Sequence, residues 1–323
     1  MKLLKSLLVV GLLLAGCATT TDQQQPEETP IVENEVLKVL SPTGAPALAL
    51  VEVADQGKHE VNFVTGSEAL QAEFVKADGE YDVIFAPVNL GAKLAGSGKS
   101  DYRLAAIITW GNIYLVGTGE DALSQEGSFA AFGENSVPDV VFKNTVDVAS
   151  IVPEITYYSS AQDVQAALLS NKANCGLLAE PAVTATIAKA KEAGIELKVI
   201  KDLQVAYQER LNNGDFGEKI DSIYPGFPQA AIFVKQGSEE ASKTLLKNVE
   251  QFVNVTCVEQ PEMIATLSER VGVDTLGVPS AAIAQKTFAK QNIHYVDAKE
   301  CQDEVKVLLS LFSIDYTEDI LVK

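Results

Sequence analysis

The sequence predicts an α/β protein built as two lobes, each a mixed, mostly parallel sheet flanked by helices. Three observations carry this. Residues 81–98 read as an apolar strand closed by Pro87, then a small-residue helix stopped by Gly96, Ser97 and Gly98. The same order of strand, polar turn and helix recurs on either side, the pattern of parallel sheets with right-handed crossovers. Residues 102–117 are too long and too β-rich for one ordinary strand. Trp110, Gly111 and Asn112 break them in the middle, so this segment can leave one body and enter another.

In chain order, residues 36–40 form the first strand, and Ser41 to Pro46 a turn into a helix over 47–54, with Pro46 in the first turn where Pro is favoured. Residues 61–64 form the second strand, and Thr65 or Ser67 caps the helix that follows. Val83, Ile84 and Phe85 are consecutive, the mark of a strand buried on both faces. Asn89 then stands at a helix start just past the carboxyl end of that strand, where open α/β sheets leave a crevice. It either caps the helix or faces a ligand. Trp110 and Asn112 either fill a core or look into the same crevice.

After Gly117 the grammar resumes. Residues 128–131 are a strand, 133–139 a Gly-started loop into a helix at Val140, and 155–158 a strand followed by a helix capped by the stretch Ser159-Ser160-Ala161-Gln162. Residues 175–179 are a further strand, ending at Glu180 and Pro181 before a helix over 182–193, and 197–200 add another strand. Residues 224–228, YPGFP, form a rigid turn, 230–234 a returning strand, and the tail reads as helices over 239–255, 261–271, 280–291 and 298–311.

With 323 residues, about two domains are expected, and 47% hydrophobic against 21% charged residues is the balance of a globular protein. Asp and Glu number 44 against 25 Lys and Arg, a net charge of -19. That excludes nucleic acid and direct adsorption on anionic lipid, because the electrostatic term would be repulsive. Lys2 and Lys5, an apolar run over 7–14 and then Leu14-Ala15-Gly16-Cys17 make a signal peptide over residues 1–17. Its last four residues resemble a bacterial lipobox with Cys17 as the lipidated residue; the alternative is a plain signal peptide with a coincidental cysteine. Residues 18–36 are acidic, polar and Pro-bearing, a composition that cannot repay its ordering entropy, and they read as a flexible tether.

Removing Cys17 leaves Cys175, Cys257 and Cys301, so at most one disulfide forms within the chain, with Cys257 and Cys301 the favoured pair. Cys175, within NCGLLAE, reads as a small buried hydrophobe. His59 and His294 are the only histidines, and no paired Cys spacing exists, so no metal site is expected. Residues 93–100, KLAGSGKS, mimic a phosphate-binding loop, but Lys93 stands where the first Gly must be and the stretch follows a helix rather than a strand.

The LAGC junction, residues 82–117, FGENSVPDVVF, SSAQDVQAALLSNKANCGLLAEPAVTATIAK and YPGFPQAAIFVKQGSEEASKTLLKNVEQFV together resemble the solute-binding lipoproteins of bacterial ABC importers. The group closest in pattern is the one assigned to nitrate, sulfonate and taurine, which is also similar to pyrimidine-precursor binders. The resemblance covers nearly the whole mature chain. It implies a two-lobed type II periplasmic-binding-protein fold, with lobe 1 from 37–117 and 229–323 and lobe 2 from 118–228. It further implies a small-molecule solute, a permease partner, a lipid anchor on the extracytoplasmic face of the cell membrane, a monomer, and no cofactor. Carried over loop by loop, it nominates Thr43, Ser67, Asn89, Trp110 and Asn112 on one lobe, and Asn135, Ser136 and Glu180 on the other.

One departure matters. None of the nominated loops holds Arg or Lys, so no clamp on a sulfonate or carboxylate is visible. Glu180 and Trp110 suit instead an amine-bearing or aromatic solute, or Glu180 is a first-turn acid serving its helix dipole. A binding role without catalysis is the leading expectation. An enzyme on the same fold, which would need a His or Cys in the cleft, and a purely surface lipoprotein are the alternatives.

Overall fold

In the computed structural model, which describes residues 35–323, the opening repeats fold as their apolar spacing requires. β1 (Lys38–Pro42) leads into α1 (Ala45–Ala49) and α2 (Val51–Gln56), β2 (Glu60–Val64) into α3 (Glu68–Phe74), and β3 (Val83–Pro87) into α4 (Val88–Gly96). Side chains alternate across a strand, so four consecutive apolar residues need a core on both faces. β3 has both. Val83 and Phe85 join Val39, Ile232 and Leu245 on one face, and Ile84 and Ala86 join Leu40, Leu104 and Phe233 on the other. α4 lies so close to the sheet that a Cβ on Gly91 would meet the Phe233 ring at 2.2 Å, which is why a glycine stands there.

β4 (Tyr102–Thr109) and β5 (Ile113–Gly117) are the two halves of the long segment, and they lie in different sheets. The change of sheet therefore comes at Trp110 to Asn112, ahead of the boundary expected after Gly117. A turn of 3-10 helix over Ala122–Ser124 precedes β6 (Ser128–Phe132) and α5 (Val137–Thr145). β7 (Glu154–Tyr158), α6 (Ala161–Leu169), β8 (Cys175–Ala179), α7 (Ala182–Glu192), β9 (Lys198–Asp202) and α8 (Leu203–Asn213) complete the second body. Ser160 caps α6 as expected, accepting from Asp163 N-H. α8 was not foreseen, although Asp202 caps it through Gln204 and Val205 N-H, and Leu203, Ala206, Tyr207 and Leu211 form a helical stripe.

β10 (Ala230–Lys235) returns to the first sheet and wedges between β3 and β4, antiparallel to both. α9 (Glu239–Gln251) then runs through a π-helical stretch, Phe252–Thr256, into α10 (Cys257–Glu259), α11 (Glu262–Val271), α12 (Val273–Leu276) and α13 (Ala281–Thr287). β11 (Ile293–Asp297), absent from the sequence expectation, forms the sheet edge beside β4, and α14 (Gln302–Leu311) follows. The orders are β11-β4-β10-β3-β1-β2 and β7-β6-β8-β5-β9. In the first sheet β10 and β11 oppose the other strands; in the second only β5 does. Both sheets are mixed, and most of their strands share a direction.

The favoured disulfide does not form. Cys257 packs in the cluster on one face of the first sheet and Cys301 in the cluster on the other, so the sheet itself separates them. All three described cysteines are free and buried, Cys175 as expected, and burial pushes the Cys175 and Cys257 thiols up to about 12. Cys17 and the tether as far as residue 34 lie outside the described residues. Among the described residues no helix is long and apolar enough to cross a membrane.

Candidate functional site

The carboxyl ends of β1, β3 and β6 point to one edge, where a cavity of about 450 Å³ opens between the two sheets. From the first body it is lined by Pro42, Pro46, Ser67, Pro87, Asn89, Leu90, Lys93, Gln229 and Ala230, and from the second by Ser136, Val137 and Pro138. Such a crevice beyond strand ends is where open α/β sheets place ligands. Three of the eight nominated residues meet here: Ser67, Asn89 and Ser136.

Helix starts leave backbone N-H groups without an intrahelical partner, and a capping side chain ordinarily takes one. At the cleft none does. α4 begins at Pro87, which has no polar side chain, and Ser136 at the start of α5 directs its Oγ to Gly133 O (2.5 Å) instead of its own helix. Ser67 stands at the N-cap position of α3, but neither it nor Thr65 caps the helix. Asn89 is the second residue of α4 and caps nothing; its Oδ1 has no hydrogen-bond partner, nor does Oε1 of Gln229. Gln229 is drawn to this spot because its carbonyl accepts from Val88 N-H at 3.1 Å, tying the return crossing to the start of α4.

Lys93 escaped the sequence reading. It stands one turn beyond Asn89, and residues four apart share a helix face, so the signal was available in that spacing. It enters no ion pair among the described residues. The cleft thus holds one cation, two amides, two hydroxyls and uncapped helix starts against walls of Pro, Leu, Val and Ala. Among the described residues no His, Cys, Asp or Glu lines it.

The other nominated residues are elsewhere. Trp110 is fully buried; its ring stacks on Tyr224 (centroids 4.7 Å apart) and its Nε1-H donates to His294 O at 3.1 Å. Asn112 is buried in the same crossing, its Nδ2 donating to Glu180 O and its own carbonyl accepting from Glu180 N-H, both at 2.9 Å. Glu180 serves its helix: its carboxylate accepts from Thr184 N-H (3.0 Å) and Thr184 Oγ1-H (2.7 Å), so the amine-binding role suggested for it has no group left in the cleft. Thr43 donates its backbone N-H to Val64 O and packs its side chain beside Gly277. Asn135 is exposed, with its N-H held by Asp139 (2.8 Å). A carboxylate and an indole look like binding groups in a sequence, but burial gives both to the chain's own crossing.

That crossing is a hinge in the geometrical sense, two strands of chain passing side by side. Trp110 O accepts from Phe227 N-H (3.2 Å), Gly111 O from Asn292 Nδ2 (2.9 Å), and Gln204 Oε1 takes Ile113 N-H (2.6 Å). Gly226, with φ 104°, lets the two backbones touch; a Cβ there would lie 2.2 Å from Trp110 O.

The described fold superposes on other solved structures. An ABC transporter structure from Parabacteroides distasonis superposes with a TM-score of 0.73 at 20% identity, over 89% of this chain and 99% of that one. The fold is that of the two-lobed periplasmic binding proteins. A periplasmic aliphatic sulphonate binding protein from Escherichia coli matches at 0.56 and 15% identity over 88% and 90% of the two chains. The ligand binding component of an ABC-type import system from Staphylococcus aureus, with zinc bound, matches at 0.59 and 14% over 90% and 97%. No family model and no curated protein matches this sequence. β5 is the first strand of the second sheet, and among the described residues that follow it Ser136, Val137, Pro138, Gln229 and Ala230 line the cleft.

Proposed function

We propose that this chain is the solute-capturing receptor of an ABC importer, closing its two lobes on a small molecule and presenting it to a membrane permease. The observation that carries the reading is the cleft: the amide oxygens of Asn89 and Gln229 have no partner within the described residues and no side chain caps α3, α4 or α5 there, while Trp110, Asn112 and Gln204 in the crossing beneath it bond to the chain itself. Buried polar groups without partners cost about 1–3 kcal/mol each, so a site that leaves them open is stabilised by whatever supplies the partners. A solute touching both lobes binds the closed form better than the open one, which is what closure requires.

The lining also indicates a solute class. With Lys93 present and no carboxylate, an ammonium ligand has no counter-charge, whereas an acceptor-rich head group meets Lys93, Ser67, Ser136 and the helix starts. The proline, leucine and valine walls suit an apolar body. An anchored lipoprotein acting as a monomer on the extracytoplasmic face, with Cys17 carrying the lipid, completes the reading. Catalysis on this fold is disfavoured because, among the described residues, no His, Cys, Asp or Glu lines the cleft with its two serines.

The test is capture. Protein incubated with the dialysable fraction of yeast extract, washed and denatured should release one dominant small mass by mass spectrometry. The recovered compound should raise the unfolding temperature, by an amount equivalent to about 2.7 kcal/mol at a hundredfold excess over Kd. Chemical conversion of the compound during incubation would contradict the receptor reading, and so would the absence of any retained mass.

A further inference from the structure

Asp139 is completely buried and does not line the cleft, and yet it governs Ser136, Val137 and Pro138, the wall that the described residues of the second body give it. We propose that Asp139 is a positioning residue of the solute site: clamped by Lys143 and Tyr157, its carboxylate sets the loop 133–136 so that Ser136 and the start of α5 face the cleft. This rests on the solute-binding reading above and deepens it.

A carboxylate at 0% exposure persists only when its oxygens are matched by donors. Here they are. Oδ2 accepts from Asn135 N-H and from Lys143 Nζ, each at 2.8 Å, and Oδ1 accepts from the Tyr157 hydroxyl. The three donors come from the loop, from α5 one turn on, and from β7, so one side chain ties loop, helix and sheet together. Lys143 Nζ also sits 5.4 Å from the centroid of the Tyr157 ring. Burial first, and Asp139 second, pushes the Tyr157 hydroxyl up to about 12, so it stays a proton donor throughout the neutral range.

The arrangement differs from an ordinary helix start in a way that matters at the cleft. In a capping box the N-cap hydroxyl accepts from the third helical N-H and the acid at that third position accepts from the N-cap N-H. Here both bonds are displaced backwards. Ser136 Oγ donates to Gly133 O, and Asp139 accepts from Asn135, the residue before the cap. Asn135 sits at φ 59°, a left-handed conformation that few residues other than Gly and Asn adopt readily. The bond from its N-H to Asp139 holds it in that turn. The N-H groups of Val137 and Asp139 are left with no side-chain acceptor, and Pro138 has none to offer, beside the cleft that Ser136, Val137 and Pro138 line. Without the clamp, Ser136 and Asn135 are free to cap α5 in the ordinary way, closing the face meant for the solute.

The experiment uses the full chain and, as titrant, the compound that wild-type protein retains from the dialysable fraction of yeast extract. Asp139→Ala should weaken its binding about tenfold, measured well below the unfolding temperature. Asp139→Asn keeps an oxygen able to accept from Asn135 and should recover most of that loss, a rescue that a purely structural acid would not give. Tyr157→Phe, which removes one donor and keeps the ring, should weaken binding about threefold and guards against a misfolded Asp139→Ala. Unchanged affinity in Asp139→Ala, or in Tyr157→Phe should the alanine variant not fold, overturns the positioning role and leaves the receptor reading intact. If wild-type protein retains nothing, the receptor reading falls and the positioning role with it.

Discussion

The crossing at Trp110 to Asn112 and the cleft edge at Asn89, Gln229 and Ser136 are both rich in polar and aromatic groups, and they treat them oppositely. In the crossing, the carbonyls of Trp110, Gly111 and Asn112, the Trp110 indole, the Asn112 amide nitrogen and the Gln204 amide oxygen all bond to other parts of the chain, and Asn112 Oδ1 is left over. At the cleft edge, amide oxygens lack partners and helix starts go uncapped. Matched groups hold the chain to itself, and unmatched groups are what a ligand can use. The same residue types therefore carry stability in one place and recognition in the other.

The comparison can be broken from the side of the crossing first. Gly226→Ala forces a side chain into a positive-φ position against Trp110 O and should cost about 3 kcal/mol in urea unfolding, the largest effect expected here. Gln204→Leu keeps bulk but strips the acceptor from Ile113 N-H, leaving a buried donor alone at about 1–3 kcal/mol. On the cleft side the signs separate. Asn89→Ala, which removes an unpartnered buried oxygen, should leave unfolding no weaker than wild type while weakening solute binding about tenfold. A large stability loss in Asn89→Ala, or none in Gln204→Leu, would erase the distinction between the two regions.

The smallest effect concerns pH. His59 lies in neither region; its Nδ1 accepts from Leu37 N-H at 3.2 Å, a bond only the neutral ring can make. Burial, with the Lys58 charge adding to it, lowers its pKa from the usual value of 6.5. The unfolded chain then binds more protons than the folded one in this range, so the contribution is complete above about pH 6.5 and is lost as pH falls through the lowered value. Thermal unfolding followed from neutral pH down towards the carboxylate range should decline less steeply for His59→Gln than for wild type. Solute affinity should be equally insensitive to pH in both proteins over the same window.

Most of the fold could be read from the residues because apolar runs and turn residues are local signals. α4 lies at 88–96 as Pro87 and Gly96 marked it, and the Trp110-Gly111-Asn112 break is where the chain changes sheets. What the residues do not carry locally is partnership across long separations. Nothing near Trp110 announces Tyr224, and nothing near Asn112 announces that Glu180 is its mate, so both looked available for a ligand. β11 was passed over because an edge strand with exposed His294 and Asp297 shows neither strict alternation nor a buried run. Cys257 and Cys301, close in composition and chain position, are kept apart by a sheet whose strands come mostly from the other end of the chain.

A crystal structure of the full chain with its captured compound tests the central claim most directly. The expected density lies between the lobes, within hydrogen-bonding distance of Asn89 and Gln229 on one side and of Ser136 or the α5 start on the other. Density seated instead in the crossing beside Trp110 and Tyr224, or touching one lobe alone, would contradict it.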